Sequence, residues 1–128
     1  MRKQYHFRDD ARGLLAWDLD GLIAATRGLP VQDVALAGLR ELDEPYWYDA
    51  EGDSPTCRSI AAHMQLVQQA DLAYPIILCP QGRVMDGMHR AVKALMEGRA
   101  TIKAYRLPVL PPPDYIGVAA DALPYDGE

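Results

Sequence analysis

Five consecutive residues, Asp86-Gly87-Met88-His89-Arg90, bring a carboxylate, a glycine, an imidazole and a guanidinium together. Arg83-Val84-Met85-Asp86 before them reads as a short strand. The residues after them read as a helix from about Met88 to Glu97, closed by Gly98. A helix start carries unpaired N–H groups and the positive end of the macrodipole. Gly87 lets the backbone turn sharply and approach a ligand with no Cβ in the way. Met88, Ala91, Val92 and Leu95 form the expected buried face, so His89 and Arg90 should project towards the open end. The chemistry expected is anion binding, with Gly87, Met88, His89 and Arg90 as the phosphate- or carboxylate-binding residues. The competing reading has Asp86 as an ordinary N-cap and His89 and Arg90 as solvated first-turn residues. Against it, cations at a helix N-terminus cost roughly a few tenths of a kcal/mol each when unpaired. A capping carboxylate would itself occupy the N–H groups, so Asp86 fits better turned elsewhere, as a metal ligand or a catalytic base.

The elements around this turn follow from pattern. Residues 1–13 are polar and expected to be a flexible arm. Asp18 or Asp20 caps a short helix through Leu22, Ile23 and Ala25, ended by Gly28 and Pro30. A strand is placed around Val34–Leu36 with a turn at Gly38. The segment Asp43–Asp53 reads as a loop carrying the aromatic cluster Tyr46-Trp47-Tyr48. Ser54-Pro55 reads as a helix start, a hydroxyl N-cap before proline at the first helical position. That helix runs to about Ala70 and buries Ile60, His63, Met64 and Val67. Pro75-Ile76-Ile77-Leu78-Cys79 is a wholly apolar strand, Pro80-Gln81-Gly82 a tight turn, and Thr101–Tyr105 a last strand with Ile102 and Ala104 on one side. The fold class expected is α+β, a compact mixed sheet with flanking helices. It comprises one domain over 14–107 and a proline-rich acidic tail over 108–128 that wraps the body or stays disordered.

Composition narrows the partners. The chain has 128 residues and a formal charge of −5, and a domain of this size needs no disulfide or metal to fold. No Lys or Arg follows Arg106, whereas Asp114, Asp121, Asp126 and Glu128 do. This balance argues against a nucleic-acid-coating surface. Cys57 and Cys79 have neither zinc-type spacing nor a Cys-x-x-Cys pattern and read as reduced thiols. A signal peptide and a membrane span are both absent from the pattern, so a soluble, cytoplasmic protein without a membrane partner is expected.

The segment from Tyr74 to Arg90, with the helix after it and the strand Ile102-Lys103-Ala104-Tyr105, resembles the ParB/sulfiredoxin superfamily over roughly residues 31–107. The shared features are a strand pair, a Gly-x-His-Arg type box, a short helix, a glycine and a final strand. Members bind nucleotide phosphates at this box: sulfiredoxins use ATP, ParB proteins use CTP, and a related free serine kinase carries a similar Asp-Gly-x-His-Arg. The resemblance therefore implies ATP, ADP or CTP with magnesium as the ligand, and phosphoryl transfer as the reaction class if turnover occurs. Met88 stands where sulfiredoxins place their reactive cysteine, which excludes that thiol chemistry. No helix-turn-helix follows the box, which speaks against a partition role. Glu41, Asp43 and Glu44 lie in the region where a further catalytic acid would fall.

Three other features stay open. His63 reads as a hydrogen-bonded core histidine or as a site residue facing His89. Trp47 and its neighbours read as a hydrophobic plug or as a base-stacking surface. Arg58 reads as a solvated cation or a second positive group, and Cys57 as an inert thiol in the same turn. A noncatalytic interaction module, with the box bracing the fold or taking an acidic partner and the tail docking on another protein, is the alternative function. A ParB-like DNA-binding or nuclease role ranks below it.

Overall fold

The computed structural model describes residues 3–49 and 53–125. The parts of the expected arm, aromatic loop and tail at 1–2, 50–52 and 126–128 lie outside them. The fold is α+β. A four-stranded sheet has the order β3 (Gln32–Ala35), β6 (Thr101–Arg106), β4 (Ile76–Leu78), β5 (Val84–Asp86). β4 runs parallel to β6, with Ile76 opposite Ala104, and antiparallel to β5, with Ile77 opposite Asp86.

Wholly apolar strands are buried on both faces, and β4 is one. Ile76 and Leu78 join Val84, Ile102, Ala104, Met88, Ala91 and Ala94 in one core. Ile77 and Cys79 join Met85, Leu107, Leu15, Trp17 and Leu22 in a second core. The first lies under α3 (Met88–Met96), which packs against α2 (Cys57–Gln69). The second is covered by the N-terminal region, which is no loose arm. Tyr5–Asp10 forms β1, paired in antiparallel register with β2 (Gly13–Asp18), and the chain continues into α1 (Leu19–Ala25). Asp18 caps α1 by accepting from the Asp20 N–H, as its position predicts.

The tail wraps the body. β7 (Tyr115–Ile116) pairs with β2, the Trp17 indole N–H donates to the Pro111 carbonyl at 2.8 Å, and Leu123 is buried. Two helix readings shift. The N-cap of α2 is Thr56, whose hydroxyl accepts from the Ser59 N–H at 3.1 Å, so Ser54-Pro55 precedes the helix instead of opening it. Ser59 and Val67 are its buried residues, with His63 and Met64 half-buried and Ile60 exposed. In α3 the buried set is Met88, Ala91 and Ala94, and Leu95 is 52% exposed. Among the described residues no helix is long and apolar enough to cross a membrane.

Truncation after Leu107 removes β7, the Trp17 hydrogen bond and the buried Leu123 side chain. Such a chain should lose about 2 kcal/mol or more of stability, from one hydrogen bond and one buried leucine alone. Urea denaturation would reveal the loss as a lowered midpoint; an unchanged midpoint would show that the tail adds nothing to the body.

Candidate functional site

Gly87 has φ +106° and is the N-cap of α3, and no side chain caps the helix. A Cβ built there would lie 2.5 Å from Ile76 Cγ2. The position therefore excludes a side chain twice, by conformation and by space. Asp86 does not cap α3. Its carboxylate accepts from Arg90 Nη2 at 2.7 Å, while Arg90 Nη1 donates to the carbonyls of Tyr74 (3.0 Å) and Pro75 (2.9 Å). Arg90 is thus turned back onto the strands, contrary to the expectation that it projects to the open end as a two-pronged anion ligand. The dipole explains this economically: a cation in the first turn is unfavourable unless paired, and Asp86 at i−4 pairs it. Met88 packs into the core, so only its backbone N–H remains for a ligand.

His63 faces His89. Their Nδ1 and Nε2 atoms are 2.9 Å apart, and Trp47 stacks on both rings at centroid distances of 4.1 and 4.7 Å. One imidazole must donate and the other accept, so the accepting ring is neutral. Burial, the neighbouring His63 and Arg90 push the His89 pKa down to about 4. Burial also lowers that of His63, against a smaller opposing pull from Asp53. Trp47 is held over the pair by a polar chain. Ser59 Oγ donates to Asp53 at 2.5 Å, which leaves the Tyr48 hydroxyl as donor to Ser59 at 3.1 Å. The Asp53 N–H closes the loop on the Trp47 carbonyl at 2.9 Å.

The other expected accessory residues are elsewhere. Glu44 pairs with Arg83 at 2.6 Å, and Arg58 is exposed on the first turn of α2 with no hydrogen bond or ion pair to the box. Glu41, only a regional guess from sequence, is buried at 4% exposure and accepts the Val84 N–H at 2.8 Å and Arg83 Nε at 3.2 Å. Arg83 and Arg8 were not anticipated. Arg8 Nε donates to His6 Nε2 at 2.8 Å, and burial together with Arg8 pushes the His6 pKa down to about 3. The alternation Tyr5-His6-Phe7-Arg8 followed by Gly13 is a strand-and-turn signal that could have found Arg8. Cys79 is fully buried; burial raises its thiol pKa, but hydrogen bonds from Arg8 and the Arg83 and Gln81 backbone bring the balance below the ordinary value.

Among the described residues no group of three His, Cys, Asp or Glu side chains could hold a metal ion. No family model, no curated protein and no solved structure matches the chain.

The neutral histidines make stability pH-dependent. An unfolded histidine titrates near 6.5, whereas folded His89 does so near 4 and His6 near 3. Below 6.5 the unfolded chain therefore binds more protons, and stability present at neutral pH is lost as the pH falls through this window. His89→Asn should make the decline between pH 6.5 and 4 shallower without abolishing it, because His6 and His63 also titrate below their unfolded value. Denaturation midpoints measured from pH 7 to pH 4 check this; identical slopes in both proteins would refute it.

Proposed function

We propose that the chain binds a small phosphorylated ligand, of the nucleotide class, at the start of α3. The observation carrying this reading is the uncapped first turn behind Gly87, from which the nearest carboxylate, Asp86, is drawn away by Arg90. The N–H groups of Met88, His89 and Arg90 have no partner within the helix by its geometry. They are the donors an anion would take. In the tautomer where His63 donates to His89, the His89 Nδ1–H becomes a further neutral donor. The likeness of residues 74–107 to the ParB/sulfiredoxin box supports the same ligand class. Magnesium would enter with the nucleotide. Since Asp86 is Arg90's partner, we carry forward binding and not phosphoryl transfer.

Arg90 itself favours a second reading, the noncatalytic module, because three of its N–H groups brace β4, β5 and α3 together. Docking of the whole tail on another protein is less favoured, since part of it already pairs with β2.

Titration of ATP, ADP, CTP and GTP, with and without magnesium, separates the two. For a nucleotide site, His89→Ala should weaken binding by about 1.5 kcal/mol, the lower end for a hydrogen bond to a charged group. Arg90→Ala should chiefly lower thermal stability. Absence of binding up to millimolar nucleotide would discard the phosphate reading in favour of the module.

A further inference from the structure

His63 and His89 share one hydrogen bond, Nδ1 to Nε2 at 2.9 Å, which joins α2 to α3. Two imidazoles linked in this way hold a definite number of ring protons. The neutral pair carries two, one of them in the bond. A third is taken up without breaking it, since an imidazolium donates and its neutral neighbour still accepts. A fourth turns both rings into donors and destroys it. The pair is therefore built to accept one proton and no more.

The surroundings select the ring that accepts it. Trp47 lies nearly parallel to His63 at a centroid distance of 4.1 Å, nearer than to His89 at 4.7 Å, and an aromatic face attracts a cation. Asp53 acts on His63 in the same sense. His63 also lines a cavity of about 480 Å³ where Asp9 and Asp49 add carboxylates, against the single guanidinium of Arg8. His6, Tyr5 and Tyr46 on the same wall bring no charge, because burial holds the imidazole neutral and pushes both phenols up. On the α3 side, Arg90 opposes a proton on His89, while Asp86 is engaged by that guanidinium. A proton from solvent thus settles on His63 Nε2, the nitrogen that the bond leaves free. His63 goes on donating through Nδ1 to His89 Nε2, and His89 keeps its Nδ1–H.

In the ligand-free protein burial lowers the pKa of both rings, so the pair is neutral at pH 7. A negative charge within about 4–6 Å of a titrating group favours its cationic form by about one to three pKa units. The first turn of α3, where His89 itself stands, is where such a charge would bind. We propose that the His63–His89 pair makes binding at this turn pH-dependent: an anion there draws one proton from solvent onto His63, and its affinity rises as the pH falls from 8 towards 6. The inference rests on the phosphate reading of the turn and assigns its regulation.

The test is calorimetric titration of the full chain with ATP, ADP, CTP and GTP, without magnesium, in two buffers of different ionisation enthalpy, which counts the protons taken up. His63→Asn is the comparison. Its amide can donate to His89 Nε2 but cannot be protonated, and protons taken by the nucleotide's own phosphates are common to both proteins. At pH 6.5 wild type should take up more protons per nucleotide than His63→Asn, with one as the limit. From pH 8 to pH 6.5 its affinity should rise about threefold or more relative to the variant, within the roughly tenfold per pH unit that one linked proton allows. Should the variant fail to fold, ring-nitrogen NMR of wild type decides the matter. On saturation with nucleotide at pH 6.5 the His63 nitrogens should move towards imidazolium values while those of His89 stay neutral. Equal proton uptake by the two proteins, or a His63 that stays neutral in the complex, overturns the inference and leaves the phosphate reading standing. Absence of binding by all four nucleotides up to millimolar concentration overturns both.

Discussion

Among the described glycines, Gly87 is the one most tightly hemmed in, by the side chain of Ile76. Ile76 is fully buried in the central strand β4, and its side chain occupies the space where any other residue at 87 would carry Cβ. The contact fixes how steeply the chain leaves β5 and enters α3. Arg90, one turn later, locks the same corner from outside by joining Asp86 to the Tyr74 and Pro75 carbonyls. The elements meeting there are thereby oriented as one unit. With α3 so placed, His89 meets His63 of α2, and Trp47 lies across both. The aromatic loop takes its position from this pair and from Tyr48 on Ser59, so the box is a structural keystone before it is a candidate site.

Much of the sheet could be read from the sequence because its signals are local. The apolar run 75–79, the Pro80–Gly82 turn and the Gly98 stop each set a boundary through residues a few positions apart. The N-terminal hairpin reads as an arm because its composition is polar. The apolar run contained the correction: a strand with no polar face needs a layer on each side, and α2 and α3 supply only one. Trp17 and Leu15, facing Ile77 and Met85 in the second core, supply the other. The α2 start moved by two residues because Thr56 competes with Ser54 for the cap, and only the Thr56 hydroxyl reaches a helical N–H. The exchange of Leu95 for Ala94 is a packing outcome that helical spacing cannot foresee.

The site was legible as an inventory and not as a set of pairings. Gly87, His89 and Arg90 announced a helix start with unusual chemistry, yet whether Arg90 met a ligand or Asp86 depended on where the Tyr74 and Pro75 carbonyls lay. His63 had two readings because its helix face was clear and the face opposite it was not. Arg8, Glu41 and Arg83 come together only through long-range packing, and Glu41 sits in the stretch 31–42 whose pattern fits neither helix nor strand cleanly. No local rule assembles such a group.

These pairings divide the polar chemistry between two regions. At the α3 start every cation is engaged and both histidines are neutral, so an anion there would meet backbone dipoles and one imidazole N–H. Recruiting Arg90 would strip Asp86 and two carbonyls of their donor. Among the described residues the turn therefore offers backbone N–H groups and a neutral imidazole, with its one guanidinium already engaged by Asp86. A second group of charged side chains lies in the cleft beside β1, where Arg8 and Arg83 meet the carboxylates of Asp9, Glu41, Glu44 and Asp49. Tyr46 and Trp47, adjacent in sequence, line the cavities that lead from one region towards the other. Burial pushes the Tyr46 pKa up to about 12, with Glu41 and Asp86 adding to it, so this phenol remains a neutral neighbour to both.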